Sequence, residues 1–218
     1  LDVVNINYGL TDVSDIKIDM LDSSGAVRKT YTAAAVSAGS STYIWDGKDN
    51  TGVTVSDGAY TVKLTAALTS NTSVTQTEAI TVSVDTTLPA VDIKQPVSNS
   101  YIKTDVAVNG TISDLNLTEY SVSYTGPTGT VLLDQENQSR VNYAFGTIND
   151  LAEGSYTLNI KAKDIGENTI EKNIAFTADR TPPVVKLETP KDGEDYGADK
   201  GIINITGSIV EQNLETYS

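Results

Sequence analysis

The chain has 218 residues, of which 29 are acidic and 15 basic, and its net charge at pH 7 is −14. It contains no Cys and no His, which excludes disulfides, thiol nucleophiles, zinc sites built on these residues and the commonest general base. The acidic balance argues against nucleic acids and anionic membrane surfaces as partners, since both need basic patches, and it leaves cations as partners.

The length suffices for two domains of ordinary size. No apolar run is long enough to cross a membrane, so we predict no membrane span in this segment. The sequence starts at Leu1 rather than Met and shows no signal peptide. We therefore expect it to be an internal piece of a longer precursor.

Alternation of apolar and polar residues predicts β-strands in the part of the chain before the first joint, because a period of two leaves one strand face buried and one exposed to water. Clusters of turn-forming residues separate these strands. We expect the small and polar stretch Ala33–Ser41 to be a loop. The predicted strands are Leu1–Tyr8, a strand with Ile16, Ile18 and Met20, its hairpin partner Val27–Thr32, Tyr43–Trp45, Tyr60–Ala66, and a strand with Ile80, Val82 and Val84. The predicted turns are Asp22–Gly25, Asp46–Gly52 and Ser70–Ser73.

The strand that starts at Tyr60 has a near copy later in the chain. Asp57–Ala66 and Glu153–Ala162 both place an acidic residue and a Gly just before a Tyr that opens a strictly alternating strand. The two Gly residues are 154 − 58 = 96 residues apart, which is typical of one β-sandwich domain. Further strands of the second copy are predicted around Val91 and Ile93, Val106–Ile112, Tyr120–Tyr124, Val131 and Leu133, Val141–Phe145, and Ile170–Phe176.

Two linkers that contain Pro join the copies. Asp85–Pro89 and Asp179–Pro183 share an Asp, a Thr and a Pro, at an offset of 179 − 85 = 94 residues. Because Pro fixes its own backbone and restricts the residue before it, we expect short, semi-rigid joints. Beyond the second joint, Ile205–Ser218 matches Val108–Ser121. We predict domains at residues 1–86, 87–180 and 181–218, the last being the truncated start of a third domain.

The corner before each Tyr resembles the tyrosine corner of immunoglobulin-like (Ig-like) sandwiches, with Val62 and Leu158 where antibody domains have Cys. In that motif the Tyr hydroxyl ties the strand to the preceding loop. Trp45–Gly52 followed by Asp57–Tyr60 resembles the Ig-like domain of the flagellar hook-capping protein. Similar modules follow the catalytic domain of cell-envelope subtilisin-type proteases.

The second copy is similar to the Ig-like repeats of bacterial surface adhesins. The residues that carry this resemblance are Glu153–Tyr156, Ala162–Asn168 and the two joints, although Glu167 stands between Gly166 and Asn168 where the commoner turn reads Asp-x-x-Gly-Asn. Together the resemblances imply an all-β fold of tandem Ig-like or fibronectin-III-like β-sandwiches joined by short Pro-containing linkers. They also imply an exported protein, in an extracellular or cell-surface setting.

The acidic residues at the joints are candidate calcium ligands. In an Ig-type sandwich the first strand starts at the end that carries the B–C and F–G loops, which would bring Asp85, Asp114 and Asp164 together, with Asp57 of the preceding domain facing them. Calcium takes about six to eight oxygen ligands and tolerates irregular geometry. The alternative is that these Asp residues form turns and cap backbone amides. The second joint would repeat the arrangement with Asp150 or Glu153, Asp179 and Glu211.

The sequence predicts no enzyme activity, because the usual base and thiol are absent and the acidic residues lie mostly in turns and on wet strand faces. The leading hypothesis is a structural spacer that presents or stiffens a functional head, with neighbouring Ig-like domains as its partners. Two alternatives stay open. One is an accessory region of an exported protease or glycosidase. The other is an adhesive module that binds glycan or protein of a host cell or cell wall, for which Trp45 is either a sugar platform or a core residue.

Overall fold

The computed structural model describes residues 3–197, 201–213 and 216, and these residues form an all-β structure. A membrane-spanning helix is not found in this part of the chain. The strands are β1 (Val4–Leu10), β2 (Ser14–Leu21), β3 (Val27–Val36), β4 (Gly39–Trp45), β5 (Gly58–Leu68), β6 (Asn71–Val84), β7 (Ala90–Gln95), β8 (Tyr101–Ile102), β9 (Val106–Ser113), β10 (Leu117–Gly126), β11 (Gly129–Glu136), β12 (Arg140–Ile148), β13 (Gly154–Asp164), β14 (Thr169–Ala178), β15 (Val184–Thr189) and β16 (Thr206–Val210).

The first sandwich is built from two antiparallel sheets, one in the order β3-β2-β5-β6 and the other formed by β1 and β4. Period-two alternation turns the apolar side chains of both sheets toward a shared core. Trp45 is fully buried in this core, and its indole Nε1 donates to the Lys48 carbonyl at 2.9 Å. Trp45 is therefore a core residue rather than a sugar platform. The buried core residues are Ile6, Ile16, Ile18, Met20, Trp45, Val55, Tyr60 and Val62.

The second sandwich has more strands around its core. One sheet has the order β12-β9-β7, and the other has the order β11-β10-β13-β14-β8, in which β8 runs parallel to β14. Strand β8 was not predicted, because two residues are too few to show a period. The buried core includes Val108, Ile112, Tyr120, Val122, Phe145, Ile148, Tyr156, Leu158, Ile160, Ile174 and Phe176.

Each sandwich contains the tyrosine corner that the sequence predicts. The Tyr60 hydroxyl donates to the Ser56 carbonyl at 2.8 Å, and the Tyr156 hydroxyl donates to the Ala152 carbonyl at 3.2 Å. Both Tyr rings are buried in their cores. The hydroxyl thus fixes the start of β5 or β13 to the loop before it, at the end of the sandwich that faces the next joint.

The prediction of a loop at Ala33–Ser41 is wrong. Strand β3 continues to Val36, and β4 begins at Gly39. A bulge lies at this end of β3, where Ala35 has a φ of 51° and its amide donates to Asp15 Oδ1 at 2.8 Å. Ala33 and Val36 pack against the core, but the small side chains and the bulge hid this strand in the sequence.

Beyond the second joint, β15 and β16 pair antiparallel as β7 and β9 do in the second sandwich. The matched Gly110 and Gly207 sit at equivalent close crossings. A Cβ on Gly110 would come within 2.4 Å of the Asp92 carbonyl oxygen, and one on Gly207 within 2.5 Å of the Lys186 carbonyl oxygen. The internal sequence match therefore corresponds to the same local structure. The exact domain boundaries at 1–86, 87–180 and 181–218 stay predictions.

Candidate cation site at the first joint

Three carboxylates from separate parts of the chain meet where the first sandwich passes into the second. Asp85 directly follows β6, Asp114 lies between β9 and β10, and Asp164 ends β13. Each offers a carboxylate oxygen within 4.8 Å of those of the other two. Asp164 is fully buried, and Asp85 and Asp114 are half-buried. The structure thus brings together three of the four residues proposed for this joint.

Turn chemistry holds two of these carboxylates in place. Asp114 Oδ1 accepts from the Asn116 amide at 2.7 Å. Asp164 Oδ1 accepts from the Asn168 amide and Asp164 Oδ2 from Asn168 Nδ2, both at 2.9 Å. Glu167, which stands where the commoner turn has Gly, takes a φ of 62°. These contacts show the turn-forming role that was the alternative to calcium binding, and they also fix the carboxylates for a ligand.

Two asparagines connect the linker to the second sandwich, and sequence reasoning missed both. Asn116 Nδ2 donates to Asp85 Oδ2 at 2.7 Å, and Asn168 Nδ2 donates to the Asp85 backbone carbonyl at 3.0 Å. The loop also passes close to the linker at Gly166, where a Cβ would lie 2.6 Å from the Asp85 carbonyl oxygen. Asn116 was visible in the sequence, because it recurs as Asn213 in the internal match.

Asp57 is not a member of the three-carboxylate group. It holds the linker instead: Asp57 Oδ1 accepts from the amide and hydroxyl of Thr86 at 2.8 and 2.7 Å, and Asp57 Oδ2 accepts from the Thr87 hydroxyl at 2.5 Å. The hydrogen bond from Thr87, together with those from Thr86, lowers the pKa of the Asp57 carboxyl against a smaller opposing effect of burial. Asp57 therefore ties the tyrosine corner of the first sandwich to the joint.

The second joint repeats these contacts in part. Glu153 takes the place of Asp57, and its Oε1 accepts from the Arg180 amide at 2.6 Å and the Thr181 hydroxyl at 3.2 Å. Asp179 Oδ2 accepts from Asn213 Nδ2 at 2.9 Å, as Asp85 does from Asn116.

The other two acids proposed for the second joint have local contacts. Glu211 Oε1 accepts from the Gln212 amide at 2.7 Å, and the Asp150 amide donates to Asp105 Oδ1 at 3.2 Å. Within residues 3–197, 201–213 and 216, the second joint does not assemble three acids as the first joint does.

The charges at the first joint suit a cation. Two ionised carboxylates within 4.8 Å of each other repel by at least about 3 kcal/mol at an effective dielectric constant of ~20. The side-chain amides of Asn116 and Asn168 offset part of this repulsion by donating to Asp85 and Asp164. A hard divalent cation would offset it more fully, since Ca²⁺ prefers carboxylate and carbonyl oxygens.

Several known proteins resemble this chain in sequence or in structure. It is 32% identical to halomucin of Haloquadratum walsbyi over 156 residues, which is 68% of this chain and 2% of halomucin. The fibronectin(III)-like modules of Clostridium thermocellum CbhA align with 81% of this chain and 85% of their own, at 17% identity and a TM-score of 0.37. A tetra-tandem repeat from the extending region of a large adhesion protein aligns with 95% of this chain and 58% of its own, at 18% identity and a TM-score of 0.37.

Two families match the sequence directly. The FlgD Ig-like domain matches residues 3–71, and the bacterial Ig-like domain (group 3) matches residues 39–126 and 137–216. The second match covers more than half of the chain in two stretches that start 137 − 39 = 98 residues apart, close to the 96 residues between the two tyrosine corners. The chain belongs to the family of bacterial Ig-like domains (group 3).

Proposed function

We propose that this chain is a non-catalytic spacer of an exported, cell-surface protein, in which each joint resists bending so that the sandwiches hold a functional head away from the surface. The observation that carries the proposal is the hydrogen-bonded first joint. Its linker is held from the first sandwich by Asp57 and from the second by Asn116 and Asn168. A linker bonded on both sides has few free rotations, so the two sandwiches keep one relative orientation.

The surface chemistry supports the same role. A net charge of −14 keeps an extended chain soluble and discourages association with copies of itself. The partners that we propose are the neighbouring Ig-like domains of the same protein. The absence of Cys and His from the sequence agrees with a role that needs no thiol or imidazole chemistry.

We further propose that the first joint binds one calcium ion through Asp85, Asp114 and Asp164. The support is the arrangement itself: three carboxylates within 4.8 Å, one fully buried, drawn from the linker, the β9–β10 loop and the end of β13. An ion shared by these three elements would lock the linker to the second sandwich. Extracellular modules commonly bind calcium with dissociation constants of about 10⁻⁴–10⁻³ M.

Titration calorimetry tests this site on the whole chain. We expect one calcium ion per chain and a rise in melting temperature, because a ligand at about ten times its dissociation constant stabilises the folded state by about 1.4 kcal/mol. Asp114→Asn should remove the binding while keeping an oxygen for the Asn116 amide. Asp12→Asn is the matched control, since it makes the same charge change in the exposed loop between β1 and β2.

The outcomes separate the two parts of the proposal. No heat of binding at millimolar calcium, or equal binding by the Asp114→Asn and Asp12→Asn variants, would refute the calcium site. The spacer would then rest on the direct hydrogen bonds of the joint alone, and its test is the shape measurement that closes the Discussion.

A further inference from the structure

Two isoleucines at equivalent positions of the two sandwiches differ sharply in exposure. The Tyr of each tyrosine corner pairs with one residue of the last strand: Tyr60 with Val82, and Tyr156 with Phe176. Val82 and Phe176 are therefore at equivalent positions. Ile80 and Ile174, two residues before them, are equivalent as well. Ile174 is 6% exposed, whereas Ile80 is 57% exposed. Because both residues lie on the core-facing side of their strands, the first sandwich leaves part of its core surface uncovered.

The missing cover corresponds to two strands. In the second sandwich β7 pairs with β9 and contacts β14, and β8 pairs with the end of β14. Counterparts of β9 and β14 exist in the first sandwich as β1 and β6. Among the described residues, however, β1 pairs with β4 alone and β6 with β5 alone. Nothing in this part of the chain therefore takes the place of β7 and β8.

Two open clefts lie on this side, one on each side of Ile80 along β6, and we name them together the β1–β6 groove. At one end it is a cleft of about 460 Å³ whose apolar wall consists of Leu10, Leu64, Ala66, Leu68 and Val74. At the other end, near the joint, a cleft of about 490 Å³ lies between Val3 and Val4 on one side and Val84 on the other. Both clefts have apolar side chains in their walls, which an extended segment with alternating apolar residues could contact.

Strand β6 itself is suited to accept a partner. Its 14 residues contain one charged side chain, Glu78, and no Pro or Gly. Edge strands usually carry charges or Pro that prevent pairing with another strand, and β6 has few of these features. Its counterpart β14 carries both Lys172 and Glu171 and is partly covered by β8. A long edge of this kind is the usual acceptor in β-strand addition.

We propose that the β1–β6 groove is a docking site for a β-strand contributed by residues that precede Leu1 in the full-length protein. The occupant follows from the internal repeat. In the second sandwich the covering residues run directly ahead of β9, starting 106 − 90 = 16 residues before it. The counterpart of that segment lies directly ahead of β1, and hence upstream of Leu1.

Two side chains define how this strand docks. Ile6 of β1 and Val108 of β9 are buried at equivalent positions. Two residues later, Tyr8 of β1 is therefore equivalent to Gly110 of β9, whose lack of a side chain lets β7 cross closely. Its larger side chain directs the added strand toward the β6 edge rather than onto β1. Glu78 of β6 is equivalent to Lys172 of β14. In the second sandwich Lys172 Nζ donates to the Val91 carbonyl of the covering strand β7 at 3.2 Å. The incoming strand therefore needs alternating apolar residues and a Lys or Arg that faces Glu78.

Hydrogen–deuterium exchange on two versions of the protein tests the proposal. One is residues 1–218, and the other is the same chain extended upstream of Leu1 by native sequence, covering at least the 16 residues that the repeat requires. The β6 amides should exchange about tenfold more slowly in the extended chain, because their exposed edge becomes paired. Ile80→Lys should abolish this protection. Thr81→Lys, one residue away on the opposite face of β6, should leave it intact.

Three results would overturn the proposal. The first is equal exchange of the β6 amides in the short and the extended chains. The second is equal effects of Ile80→Lys and Thr81→Lys on the protection. The third is a dimer of residues 1–218, seen by light scattering, in which the β6 amides are already protected, since a second copy would then fill the groove.

Discussion

Removing the carboxylate of Asp57 should loosen the first joint and destabilise the first sandwich. In Asp57→Ala, three hydrogen bonds from Thr86 and Thr87, with lengths of 2.5 to 2.8 Å, lose their acceptor. A typical hydrogen bond contributes about 0.5–1.5 kcal/mol net. Because this carboxylate is exposed, water replaces part of the loss, and we expect about 1–2 kcal/mol in total.

Denaturant unfolding followed by the fluorescence of Trp45 measures this loss. Trp45 is the one Trp of the sequence and is fully buried in the first core, so its signal reports on the first sandwich. Asp12→Ala removes an exposed carboxylate at the other end of the same sandwich and serves as the control. A change in unfolding free energy below about 0.5 kcal/mol, the usual range of a surface substitution, would refute the assigned role of Asp57.

The same contacts make the contribution of Asp57 dependent on pH. Its folded-state pKa lies below the ordinary value of 3.8, so the folded protein favours the ionised form. The stabilisation is therefore fully present above about pH 3.8 and is lost as pH falls through the lowered folded pKa. The stability difference between the wild type and Asp57→Ala should be constant from pH 5 to 7, within about 0.3 kcal/mol, and should shrink in stronger acid. A difference that grows in acid would contradict this reasoning.

Three further substitutions test the fold. Gly110→Ala should lower the free energy of unfolding by about 1–3 kcal/mol, since its Cβ would press on the backbone of β7. Gly9→Ala is the control and should be nearly neutral, because no atom lies within 4 Å of the added Cβ. Equal melting temperatures of the two variants would contradict the close crossing at Gly110. Tyr60→Phe should cost about 1 kcal/mol in chemical unfolding through the lost hydrogen bond of the tyrosine corner, while the exposed Tyr101→Phe should cost almost nothing. Trp45→Phe should cost about 2–3 kcal/mol, measured by circular dichroism, and a neutral result would contradict its place in the core.

The sequence predicted those parts of the fold that rest on local pattern. The alternation after Tyr60 and Tyr156 located β5 and β13, and the repeat of Asp85 as Asp179 located the joints. The proximity of three acids at the first joint followed from the order of strands in an Ig-type sandwich, since each acid occupies a loop or linker at the same end.

The remaining features depend on contacts between distant residues, which a local pattern does not show. Asn116 and Asn168 read as ordinary turn residues until the fold places them against the linker. At Ala33–Val36 a bulge interrupts the alternation, and the strand is recognised by its pairing with β2. The sequence did not show the exposure of Ile80 either, because the alternation around it is that of a core strand. Ile80 is exposed because β6 pairs with β5 alone among the described strands.

The central claim, that the joints are stiff and that calcium stiffens the first one, is tested most directly by small-angle X-ray scattering. The whole chain would be measured in millimolar calcium and in chelator, together with Asp114→Asn. We predict an extended particle under both conditions, with a narrower distribution of interdomain distances in calcium for the wild type alone. A broad distribution typical of freely jointed domains, unchanged by calcium, would contradict the account.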